Sequence, residues 1–178
     1  MRRLALIVAA AALAVGAGTA RGDSTVPLPA SGVIPLPSAG VPNIDEEVRR
    51  FEYKAEAGAE YAVTQPVFDL ALLEKFLRRI EHCKIPVIAG IWPLVSVRNA
   101  EFMKNELRVS VPDAILERMA RARTPEAARE EGVTIAREML LSVRDMVQGA
   151  QISAPSGRYT SAADVLEALG TSPRATVQ

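Results

Sequence analysis

Ile85-Pro86-Val87-Ile88-Ala89-Gly90-Ile91 is apolar nearly throughout. A strand solvated on one face alternates polar and apolar residues, whereas a parallel strand covered on both faces does not. Pro86 falls near the start of the run, where a missing N–H costs least. Working outward, Tyr61-Ala62-Val63-Thr64 is another apolar run, too short for a helix. Pro66 holds Gln65 extended behind it. On the far side, Ala150-Gln151-Ile152-Ser153-Ala154 reads as a third strand, followed by Gly157 for a tight turn.

Helical patterns separate these runs. Ile44, Val48, Phe51 and Ala55 recur at intervals of four, three and four, with Glu46 and Glu47 in the first turn and Gly58 placed to end the helix. Asp69 can cap the next helix, with its stripe of Leu72, Leu73, Phe76, Leu77 and Ile80. Ser96 can cap a short helix from Arg98 to about Asn105. Pro112 and Thr124-Pro125 open two more, the second carrying Ala136, Met139, Leu140, Val143 and Val147. A last helix runs from about Ser161 to Leu169, with Ser161 and Asp164 as a capping box. Strand and helix alternating three times predicts α/β architecture with parallel strands and right-handed crossovers. Periodicity leaves open an open doubly wound sheet or part of a (β/α)8 barrel. No Gly-rich phosphate loop follows any strand, which counts against a dinucleotide sheet.

Composition narrows the function. Lys plus Arg and Asp plus Glu each number 21, giving zero formal charge and no electrostatic footprint for nucleic acid or anionic membrane. One cysteine, Cys83, and one histidine, His82, exclude an internal disulfide and a soft-metal cluster. This pair closes an amphipathic helix, where a packing or surface role is expected. Arg118, Arg121 and Arg123 read as a solvated helix face. Arg21-Gly22-Asp23 matches an adhesion tripeptide too short to carry meaning.

The ends of the chain read differently. Residues 1–20 have the layout of an export signal: Arg2 and Arg3, then an apolar run, then small residues. Residues 21–42, with Pro27, Pro29, Pro35, Pro37 and Pro42, read as an extended linker. Residues 43–170 form the folded domain, and 171–178 a disordered tail.

In parallel α/β folds, chemistry sits just past the C-terminal strand ends. Those positions here hold Thr64 and Gln65, Trp92 and Pro93, and Ser156 to Arg158. An amide such as Gln65 can donate and accept at once, which suits a heterocycle edge carrying N–H and C=O. Arg158 offers a planar fork for a carboxylate. The plain alternatives are a strand-end turn residue and a surface cap.

The run Lys54-Ala55-Glu56-Ala57-Gly58-Ala59, followed by Thr64-Gln65-Pro66-Val67-Phe68-Asp69, resembles a signature region of methylenetetrahydrofolate reductases. Pro86 to Pro93, Val111-Pro112 and Gly157-Arg158 through Leu169-Gly170 match that family in order and spacing. The wording Thr-Gln-Pro-Val-Phe-Asp, Arg-Asn-Ala-Glu-Phe and Gln-Ile-Ser-Ala-Pro is most similar to the reductase domain of the bacterial bifunctional type, in which a homocysteine S-methyltransferase domain comes first.

The resemblance implies a partial (β/α)8 TIM barrel, about the last three strand–helix units. It implies flavin-dependent reduction of 5,10-methylenetetrahydrofolate to 5-methyltetrahydrofolate, with FAD as cofactor and NAD(P)H as reductant. Gln65 would bond the pterin ring, Pro93 would lie at the substrate pocket and Arg158 would face the carboxylate-bearing end of folate. Glu47, Arg50, Tyr53 and Lys54 would contact the adenosine and phosphate side of FAD. The family's aromatic near position 97 is replaced by Val97, which offers less stacking area. Its acidic catalytic residue and its isoalloxazine contacts match nothing in residues 1–42. Partners implied are the folate substrate and the missing N-terminal half-barrel, on the same gene or another chain; a homo-oligomer is compatible. The family implies a cytoplasmic protein, and the leader an exported one. Alternatives to a truncated reductase, inactive alone, are a non-catalytic folate- or FAD-binding remnant and an exported interaction protein.

Overall fold

The computed structural model describes residues 5–8, 31–34, 44–157 and 159–170. Strands β1 (Ala5–Val8) and β2 (Ser31–Ile34) come first, then α1 (Ile44–Glu56), β3 (Tyr61–Pro66), α2 (Leu70–Ile80) and β4 (Val87–Ile91). Three helices follow in succession, α3 (Val97–Asn105), α4 (Asp113–Arg121) and α5 (Pro125–Val143), before β5 (Gly149–Ile152) and α6 (Tyr159–Glu167).

The strands form one parallel sheet in the order β1-β5-β4-β3-β2. The three expected strands are its neighbouring β3, β4 and β5. β1 and β2 were not expected: β1 lies in the stretch read as an export leader and β2 in the stretch read as a linker. The remainder of those two stretches, and the tail from 171, lie outside the described residues.

β2 to β5 are laid down consecutively in one direction, and α1, α2, α5 and α6 bury apolar residues in the same place. Val48 and Phe51 of α1, Leu73, Phe76 and Ile80 of α2, Ala136, Leu140 and Val143 of α5, and Ala162, Val165 and Leu166 of α6 share one core with Ala62, Val87, Ala89, Ile91, Ala150 and Ile152. Phe51 meets Phe76 edge to face at 5.7 Å, the arrangement the ring quadrupoles favour. A doubly wound sheet carries helices on both faces; here they crowd one, as in a segment of a (β/α)8 barrel.

A second core lies among α3, α4 and the first part of α5, where Ala100, Met103, Ile115, Met119, Ala128 and Ile135 pack with Phe68 and Leu94 from the loops leaving β3 and β4. The extra helices therefore sit beside the C-terminal strand ends. Two close approaches set that position. A Cβ on Gly132 of α5 would lie 1.7 Å from the Leu94 carbonyl oxygen, so only glycine lets α5 seat against this loop. Arg118 of α4 reaches Glu131 and Glu138 of α5, at 2.6 Å in each case. Arg118 is thus an inter-helix clamp rather than part of a solvated face. Its partners lie on the next helix, out of reach of the periodicity that describes α4.

The last helix starts at Tyr159, so Ser161 is inside it and cannot be its cap. Pro112 is the residue before α4 rather than within its first turn. The caps by Asp69 and Ser96 are formed as expected, and Thr124 caps α5 in the same way, each accepting a backbone N–H three residues on.

Candidate functional site

The C-terminal end of β3 is irregular. Val63 pairs with Ile88 and Pro66 with Gly90, so Thr64 and Gln65 together stand opposite Ala89. This is a β-bulge, a device that re-aims a side chain next to a site. Thr64, 3% exposed, holds it: its hydroxyl accepts the Gly90 N–H at 2.9 Å and donates to the Gln65 carbonyl at 2.7 Å. Gly90 must be glycine here, because a Cβ would sit 2.7 Å from the Thr64 carbonyl oxygen. The bulge takes Gln65 out of the strict alternation of the strand. Its half-buried side-chain amide makes no hydrogen bond among the described residues.

The surrounding loops are fixed by Asp69. One carboxylate oxygen accepts the Leu72 N–H at 3.0 Å and the other accepts the Ser110 hydroxyl at 3.1 Å. This ties the loop before α2 to the loop between α3 and α4. Gln65, Pro66, Phe68, Val109 and Ser110 line a small recess there.

After β4, Pro93 and Leu94 are buried and Trp92 is partly so. Trp92 packs against the second core, yet its buried indole N–H has no partner among the described residues. A buried donor left unpaired costs about 1–3 kcal/mol, and such groups call for an explanation at the site where they occur.

Among the described residues, an oxygen of Glu47 is also buried without a partner. Glu47 is 2% exposed and lies in the first turn of α1, which starts at the end where the strands finish. Its other oxygen accepts from Arg50 at 2.8 Å, and Arg50 also pairs with Glu46 at 2.5 Å. Tyr53, largely exposed, and Lys54 continue the same helix face. With Glu46, Arg49 and Arg50 they line an open depression of about 460 Å³. From Glu47 to Lys54 this face runs about 10 Å along the helix. The cations and the exposed ring fit the adenosine and phosphate half of a dinucleotide cofactor; Arg50 would have to share its two carboxylates with that ligand. Arg158 lies outside the described residues, so of the three residues expected to meet substrate only Gln65, near the end of β3, and Pro93, in the loop after β4, are located.

His82 and Cys83 lie at the opposite end of the sheet, in the turn before β4. His82 bonds Glu52 at 2.9 Å. Burial raises the Cys83 thiol pKa, and Glu52 and Glu56 raise it further, which suppresses the reactive thiolate. Among the described residues, no group of three or more His, Cys, Asp or Glu could hold a metal ion, and no helix is long and apolar enough to cross a membrane.

The profile of the methylenetetrahydrofolate reductase family matches residues 32–152, from β2 through β5. The chain belongs to the methylenetetrahydrofolate reductase family. No curated protein sequence matches it. Among solved structures, a protein from Clostridium thermocellum described as uncharacterised and as binding two copies of 5-methyl-5,6,7,8-tetrahydrofolic acid shares the fold, with a TM-score of 0.56 and 22% identity. The likeness covers 78% of this chain and 51% of that one, so the chain spans about half the length of the structure it matches. The family match includes β2, which lies in the stretch expected to be a linker. The missed signal was Gly32-Val33-Ile34, a short run with β-branched residues between prolines.

Proposed function

We propose that the chain provides the folate-binding side of a flavin-dependent methylenetetrahydrofolate reductase built on a (β/α)8 barrel. The family match across the strands that carry Gln65 and Pro93 is the observation that supports this most. In this role Gln65 bonds the pterin ring, its amide able to donate and accept at once. Pro93 walls the substrate pocket, and Arg158 faces the folate carboxylates. The folate ligand recorded for the Clostridium thermocellum protein points the same way.

Glu47, Arg50, Tyr53 and Lys54 would hold the adenosine and phosphate side of FAD. When bound, FAD would supply the redox chemistry that links NAD(P)H to the folate. The chain's own residues bind and orient. The acidic catalytic residue and the isoalloxazine contacts come, in this proposal, from a half-barrel outside these 178 residues, on the same or another chain. Such a protein works in the cytoplasm, where its folate, flavin and nicotinamide partners are.

Equilibrium dialysis of the chain with 5-methyltetrahydrofolate tests the proposal. We expect saturable binding, weakened about tenfold by Gln65→Ala, the loss of roughly one hydrogen bond. No binding by the unaltered chain would refute it. A parallel FAD titration separates two cases: folate binding with weak or no FAD binding selects a binding part, and stoichiometric FAD with turnover shows that these residues suffice for catalysis.

A further inference from the structure

Gln151 is the one polar side chain in β5, between Ala150 and Ile152, which are both buried in the core beneath the helices. Strand alternation therefore directs Gln151 to the opposite face. It is in register with Gly90 of β4, and Gly90 is in register with Pro66, next to Gln65. One row across the C-terminal end of the sheet thus reads Gln65-Pro66, Gly90, Gln151. Strands lie about 4.8 Å apart, so the two glutamines start about 10 Å from each other with only a glycine between them.

The Gln151 amide is barely committed. Its nitrogen donates to the Ser153 hydroxyl at a long 3.4 Å, and its oxygen has no partner among the described residues. A half-buried amide left this free, facing away from the helices at the functional end of a parallel sheet, is placed to meet a ligand rather than to hold the fold.

We propose that Gln151 is a second ring-recognising residue, which reads the N–H and C=O edge of the pterin alongside Gln65. The inference rests on the folate proposal above and adds a specificity residue to it.

Dialysis against two ligands tests it: 5-methyltetrahydrofolate, with its 4-oxo group, and the analogue bearing a 4-amino group. We expect Gln151→Leu to bind the 4-oxo ligand about tenfold more weakly while the 4-amino ligand changes little, as for loss of one amide contact. Gln151→Glu, which accepts but does not donate when ionised, should shift preference toward the 4-amino ligand. Thermal unfolding should be nearly unchanged in both, because the helix-facing side of β5 is untouched, and Gln151→Glu carries the test if Gln151→Leu fails to fold. Unaltered preference in folded variants, with the parent chain binding folate, would overturn the role of Gln151 alone. No binding by the parent chain would overturn the folate proposal and this inference with it.

Discussion

The two ends of the sheet are built to different rules. At the N-terminal end Gln148 and His82 are paired. Gln148 grips Val87 twice, its side-chain oxygen accepting the Val87 N–H at 2.7 Å and its own N–H donating to the Val87 carbonyl at 3.0 Å, while His82 is bonded to Glu52. At the C-terminal end pairing is incomplete. Among the described residues, the Trp92 N–H and one Glu47 oxygen are buried without partners, the Gln65 amide has no hydrogen-bond partner, and the Gln151 amide has one long contact. Unsatisfied polar groups are costly, and their clustering at one end marks where a ligand completes the network. The contrast follows the division in parallel α/β folds between a stabilising face and a functional one.

Glycine substitutions give the sharpest contrast between these ends. Gly132→Ala drives a Cβ into the Leu94 backbone at the functional end, and the carbonyl cannot swing aside as a side chain could. We expect a loss of roughly 3 kcal/mol or more, with the Trp92–Leu94 loop displaced and folate binding lost. Gly58→Ala, at the other end, meets open space but must keep φ at +97°. It should cost only about 1–2 kcal/mol and leave binding intact. Urea unfolding with dialysis on both variants checks this, and equal effects on binding would break the contrast.

Thr64→Val should come next. It leaves the buried Gly90 N–H without its acceptor, at about 1–3 kcal/mol, and lets the bulge relax. Folate affinity should fall because Gln65 is re-aimed, although Thr64 itself touches no ligand. A loss of stability with unchanged affinity would show that the bulge serves the fold alone.

The smallest effect concerns the Arg118 clamp. Hydrogen bonding to Arg118 lowers the Glu138 pKa, against an opposing effect of burial. A carboxylate whose folded pKa lies below its unfolded value contributes stability above the unfolded value, about 4.3 for glutamate. That stability is lost as pH falls through the folded value. Both side chains are substantially exposed, so the contribution should stay under about 1 kcal/mol. Arg118→Met should flatten the acid limb of stability between about pH 5 and 3, read by thermal unfolding. An unchanged limb would remove the clamp from the account.

Much of this was legible in sequence, for reasons tied to particular residues. The apolar run Val87–Ile91 pointed to a strand covered on both faces, as in a parallel sheet, and Asp69 and Ser96 announced their helices through local capping, as Thr124-Pro125 did by opening α5. Strand ends alone pointed to Gln65 and Pro93. What escaped depends on distant partners. Arg118 meets carboxylates on another helix. The bulge arises because the Thr64 hydroxyl takes over the Gly90 N–H. Gly132 matters for a backbone some forty residues earlier in the chain. Gln151 could have been found as a lone amide in an otherwise apolar strand. β1 and β2, each of four residues, are too short to stand out from an apolar leader and a proline-rich stretch.

The central claim is that ligand completes the C-terminal end of the sheet. The chain has a single tryptophan, Trp92, and it stands at that end. We would titrate the chain with 5-methyltetrahydrofolate and follow Trp92 emission, corrected for absorption by the folate, beside dialysis of the same samples. We expect a saturable emission change that tracks bound ligand and shifts to higher concentration in Gln65→Ala. Binding by dialysis with no change in Trp92 emission would place the ligand elsewhere and contradict it.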